Sequence, residues 1–157
     1  MLEASLKKFE PKLLPVALLL CRLSLGGMFL LSGFSKSMGE LRNGLGTFRR
    51  GFYAAMQPPF VPDFVATPYG YALPWLELIL GLLLVLGLFG RVVALLVAFV
   101  MASILTSQVA AFGISAVEGQ GPPFHANYVL LSLALLLVLL GPGRLSLDAL
   151  IRGRKKP

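Results

Sequence analysis

Long apolar stretches separated by polar connections set the pattern of the chain. A helix needs about 17–25 mostly apolar residues to cross some 30 Å of hydrocarbon. Leu13 to Leu31 meets that length with one internal charge, Arg22. Tyr69 to Phe89 meets it with Glu77 as its only charge, and Val92 to Phe112 carries none. Ala126 to Gly141 is shorter and leucine-rich, and a turn at either end would bring it to spanning length. Continuous leucine runs are helical and lack the alternation of a membrane barrel strand. The pattern predicts an all-α fold, a four-helix integral-membrane bundle forming one domain over residues 1–157. Its spans are about 13–31, 69–89, 92–112 and 126–141, with a long outer loop at 32–68 and a basic tail at 142–157.

Composition supports this. The 157 residues are 57% hydrophobic and 13% charged, against about 45–50% and 25% in soluble domains. A soluble chain of this length buries only about 70% of its unfolded surface, so much apolar material would be left in water. One cysteine, Cys21, excludes an internal disulfide, a CxxC pair and a Cys-ligated metal cluster. One histidine, His125, excludes a haem held by two histidines of this chain. The basic start followed by an apolar run has the outline of a signal peptide. No small-x-small site follows it, however, so an uncleaved first helix is expected, with Cys21 a packed thiol.

Charge sets the expected orientation. Nine Lys and Arg flank one side, in the N-terminal tail, at Arg91 and in the C-terminal tail; four, Lys36, Arg42, Arg49 and Arg50, lie in the first long connection. The excess places both termini in the cytoplasm. The net charge of +7 then calls for anionic lipid headgroups and needs no nucleic acid. Within the long loop, Leu41, Leu45, Phe48 and Phe52 recur at helical spacing beside arginines, a pattern suited to the membrane interface. Gln57 to Asp63 is proline-rich and cannot be helical throughout. Gly44, Gly46 and Gly51 do not make a phosphate-binding GxGxxG. The second outer loop, Gly113 to His125, reads equally as a lid, a docking surface or a plain connection.

Ionisable residues inside a membrane are expensive, at about 2.5–3.5 kcal/mol on insertion scales, and mark sites. Arg22 lies about 13 Å below the outer end of the first span and Glu77 about 12 Å below the same face, which predicts an Arg22–Glu77 pair. Arg22, Gly26, Phe29 and Gly33 share one helical stripe; Gly70, Pro74, Glu77 and Gly81 share another. Lys36 continues the first stripe outward. Ser103, Thr106, Ser107, Asn127 and Tyr128 would complete a polar pocket in the outer half of the bundle. A buried ion pair that only fixes helix register is the competing reading.

Taken together, these positions resemble the DoxX family over most of the chain. The match consists of Arg22 with its glycine stripe, Ser32-Gly33-x-x-Lys36, Pro74-x-x-Glu77-x-x-x-Gly81 and Gly87-x-x-Gly90-Arg91. Asn127-Tyr128 and Gly141-Pro-Gly-Arg-Leu-Ser-Leu-Asp148 complete it. The resemblance implies a multi-pass protein of the bacterial inner membrane tied to redox work, akin to small subunits of thiosulfate:quinone oxidoreductase. Two functions follow. In the first, the chain is the quinone-interacting subunit of a sulfur-compound oxidoreductase. Arg22 donates to a carbonyl of a bound quinone and Glu77 carries a proton. Lys36, His125 and Tyr128 line the way in, and Trp75 or Phe29 lies against the ring. No haem, flavin, iron–sulfur or metal motif supplies electrons, so they must come from another subunit or directly from substrate at the pocket. In the second, the chain is a non-catalytic anchor, assembly factor or structural subunit, with the buried pair as an internal lock. A solute carrier is a weaker third, because no inverted repeat is seen.

Overall fold

The computed structural model of the chain describes residues 2–113, 118 and 124–153. It is helical, with no strand among the described residues. The elements are α1 (Leu2–Asn43), a π-helical turn (Arg49–Tyr53) running into α2 (Ala54–Met56), then α3 (Asp63–Leu86), α4 (Gly90–Phe112), α5 (Phe124–Leu140) and α6 (Leu147–Gly153). Three segments, Leu13–Asn43, Asp63–Leu86 and Gly90–Phe112, are long and apolar enough to cross a membrane; Phe124–Leu140 is a shorter apolar helix. Most of the expected second outer loop, and Arg154 to Lys156 of the basic tail, lie outside the described residues.

The expected first loop at 32–68 is largely helical. α1 continues through Ser32, Lys36 and Glu40 and stops only at Asn43 before Gly44, whose φ of 92° suits glycine. Loss of hydrophobicity at Leu31 ends an apolar run, but serine, lysine and glutamate do not end a helix. α3 starts at Asp63, an acidic residue in the first turn where the helix dipole favours it, and carries Pro68 and Pro74 within it. Pro68 removes one hydrogen bond near the helix start, too little to stop propagation.

α1 and α3 pack antiparallel along the expected glycine stripes. A methyl group on Gly33 would collide with the backbone of Leu78 and Glu77, and one on Gly81 with the backbone of Leu30. Lipid tails are as apolar as leucine, so such close backbone approach, more than hydrophobic burial, holds two membrane helices together. α4 and α5 form the second closely packed pair, and the contact between the two pairs is narrower. Leu25, Leu84, Val97 and Leu137 fill the centre, each fully buried.

Both ends of the bundle are tied. At the end carrying the α3–α4 turn, here the tail end, α3 closes on Gly87 (φ 71°), whose N–H donates to Leu83 and Leu84 carbonyls. The segment after α5 folds back over this turn, with the Pro142 ring against Gly90. Asp148 accepts the backbone N–H groups of Phe89 (2.9 Å) and Gly90 (2.8 Å) at the start of α4. Phe89 holds a left-handed φ of 50°, an unfavourable backbone for a bulky residue, and the Asp148 carboxylate anchors its amide there. At the opposite loop end, the buried Glu40 carboxylate accepts N–H groups from Gly46 and, at 2.7 Å, from Phe48. That clip folds the π-helical turn and α2 over the bundle.

Candidate functional site

The residue at the centre of the candidate site is Glu77, 2% exposed in the middle of α3. The Lys36 ammonium from α1 donates to both of its oxygens, at 2.6 and 2.7 Å, and the Ser32 hydroxyl donates at 2.8 Å. The same ammonium lies 5.0 Å from the centre of the Phe48 ring, so Lys36 also joins the core to the covering turn. A buried carboxylate with a charged partner and a further donor is largely compensated.

The expected Arg22–Glu77 pair is not formed. Arg22 is buried at the tail end, where its guanidinium donates to the carbonyls of Pro142 (3.0 Å) and Leu145 (2.7 Å). Ten residues separate it from Ser32 on α1, about 15 Å along the axis. The error is one of register. Taking Leu31 and Tyr69 as facing helix ends misplaces the two helices by about three turns, because Gly33 in fact lies against Leu78 and Gly81 against Leu30. Arg22 thus binds backbone carbonyls after the end of α5.

A small cavity adjoins the Lys36–Glu77 pair, between the two helix pairs and beneath the covering turn. Lys36, Phe48, Tyr53, Tyr69, Ser103 and Ser107 are among the residues lining it, and its volume is about 50 Å³. Tyr69 and Ser103 are hydrogen-bonded across the gap between α3 and α4. The volume holds a few waters, and is about a third of an engineered cavity that takes benzene. Of the other expected polar residues, Ser107 reaches the cavity, whereas Thr106 is exposed and donates back to Ala102 O.

The remaining expected site residues are dispersed. Phe29 is core, 3% exposed, and Trp75 is half-buried. His125 and Tyr128 are exposed on the first turns of α5, and neither lines the cavity. Two groups not anticipated from the sequence matter more. Glu40 fixes the covering turn, and the only signal for it was an acid placed just before the Gly44–Gly46 turn. Arg49 donates to Gln57 Oε1 at 2.9 Å, Gln57 donates on to Asp63 Oδ1 at 2.9 Å, and the Arg49 guanidinium lies 5.4 Å from the Tyr53 ring centre. Burial pushes the Tyr53 phenol up from its ordinary pKa, with Arg49 partly opposing the shift.

No curated protein and no solved structure matches the chain. One family model does, that of methylamine utilisation protein MauE, over residues 14–140. It overturns the DoxX resemblance. The motifs that suggested DoxX do structural work here: Gly33 and Gly81 allow backbone contact, while Gly87, Gly90 and Asp148 build the tail-end turn. With most of its length matched, the chain belongs to the MauE family of membrane proteins.

Proposed function

We propose that this chain is an accessory membrane protein that supports, without itself catalysing, a redox system of the methylamine-utilisation type. α5 serves as a fourth crossing, and both termini face the cytoplasm of a bacterial inner membrane. The observation that carries this reading is how the buried charges are used. Glu77 is bound by Lys36 and Ser32, Arg22 by tail carbonyls, and Glu40 by turn amides. Each is committed to holding one helix or connection against another. The lone Cys21 gives no dithiol within the chain, so any thiol–disulfide exchange would draw on a partner. The redox chemistry in this reading therefore resides in partner proteins.

Gene deletion in the native host, assayed for amine-dependent oxygen uptake and for the amount of assembled amine-oxidising enzyme, tests the reading. Loss of both, with enzyme purified from wild-type membranes active in the absence of this chain, is the expected result. Purified chain that alone oxidises an amine or reduces an electron acceptor would overturn it.

A further inference from the structure

At the loop end three carboxylates already have partners within the chain, Glu40 and Glu77 buried and Asp63 exposed. Glu40 holds the Gly46 and Phe48 amides, Glu77 holds Lys36, and Asp63 accepts from Gln57. Two of the loop-end arginines are not so used. Arg42, in the last turn of α1, and Arg50, on the π-helical turn, are exposed, and no carboxylate among the described residues pairs with either. Arg50 and the partly exposed Tyr71 converge on Gly46: a methyl placed there would lie 2.9 Å from Arg50 Nη1 and 2.8 Å from Tyr71 Oη. Leu41, Leu45 and Phe52, each more than half exposed, are carried by the same connection. Tyrosine beside arginine over exposed apolar side chains is the chemistry of the headgroup layer, where the ring and alkyl groups meet acyl chains and the guanidinium meets phosphate.

We propose that Arg50 and Tyr71, assisted by Arg42, form a binding site for the phosphate of an anionic phospholipid at the loop end. The lipid neutralises the two unpaired arginines and seats the covering turn in the interface. Guanidinium and phenol hydroxyl donate to phosphate oxygens, and the acyl chains run down past Leu41 and Leu45. Attraction of this kind amounts to about fivefold in affinity for each basic residue near an anionic surface.

The test is native mass spectrometry of the full chain in non-ionic detergent. It is titrated with phosphatidylglycerol or with phosphatidylcholine of the same acyl chains. Wild type should retain the glycerol lipid at least about fivefold more tightly. The preference should disappear in R42Q/R50Q, weaken in Y71F and persist in R144Q, whose arginine is exposed at the tail end. Circular dichroism of each variant checks that the helices are intact. Equal retention of the two lipids overturns the proposal, as does a preference that survives R42Q/R50Q and is lost in R144Q. Displacement of the lipid by inorganic phosphate at equal concentration would show a free-anion site and overturn the lipid assignment.

Discussion

Lys36 and Glu77 form a two-point ion pair, 2.6 and 2.7 Å from one ammonium to the two oxygens of a carboxylate that is almost fully buried. They join α1 to α3 about midway along the residues that connect the glycine contacts to the loop end. Removing one partner of such a pair leaves the other charge stranded, at a cost of about 3–5 kcal/mol, whereas replacing both by apolar residues is often close to neutral. K36M and E77Q should each lower the unfolding midpoint in detergent, K36M more, because it leaves a buried carboxylate alone. K36M/E77M should recover most of the loss. Additive losses in the double variant would contradict the lock.

The glycine contacts give a sharper structural test. Gly33 meets the α3 backbone directly, whereas Gly27, six residues earlier, has open space where a methyl would go. G33A must push the helices apart and should cost about 1–3 kcal/mol or more. G27A should be neutral or slightly stabilising through helix propensity. The two thermal melts, recorded side by side, decide it.

The tail-end latch should be visible to a protease. Arg22 holds the carbonyls of Pro142 and Leu145, which bracket the exposed Arg144. R22Q should therefore speed tryptic cleavage after Arg144 severalfold, with the helices intact by circular dichroism. An unchanged cleavage rate would mean that the latch is held by other contacts.

Asp148 acts as a cap supplied from a distant part of the chain, bonding the first two amides of the α4 turn. D148A should cost about 0.5–2 kcal/mol, as loss of a helix N-cap does. Unfolding free energies of the two proteins in the same detergent measure it.

Alkaline titration should report the Tyr53 environment. Burial raises its pKa and Arg49 only partly offsets this. The phenol is thus easier to ionise unfolded than folded. The resulting stability is intact below the ordinary tyrosine value near 10 and falls as pH climbs through the higher folded value. Y53F should remove a late-titrating component from the tyrosinate absorbance curve. A curve that loses an ordinary component instead would contradict the burial.

The apolar runs determined by themselves that this is a helical membrane protein, and the i, i+7 spacing of Gly26 and Gly33 marked the face that α3 covers. Those are local properties, set by the length of hydrocarbon a helix must cross and by helix periodicity. Helix ends were not legible in hydropathy, because a helix that leaves the apolar layer keeps its hydrogen bonds while its side chains turn polar. From that came the early stop at Leu31, the late start at Tyr69 and the wrong partner for Glu77. Which cation reaches a buried carboxylate depends on the axial register of two helices, and backbone contact at Gly33 and Gly81 fixes that register. Only the tertiary structure could therefore give Lys36 to Glu77, send Arg22 to the tail and bring Asp148 back to cap α4.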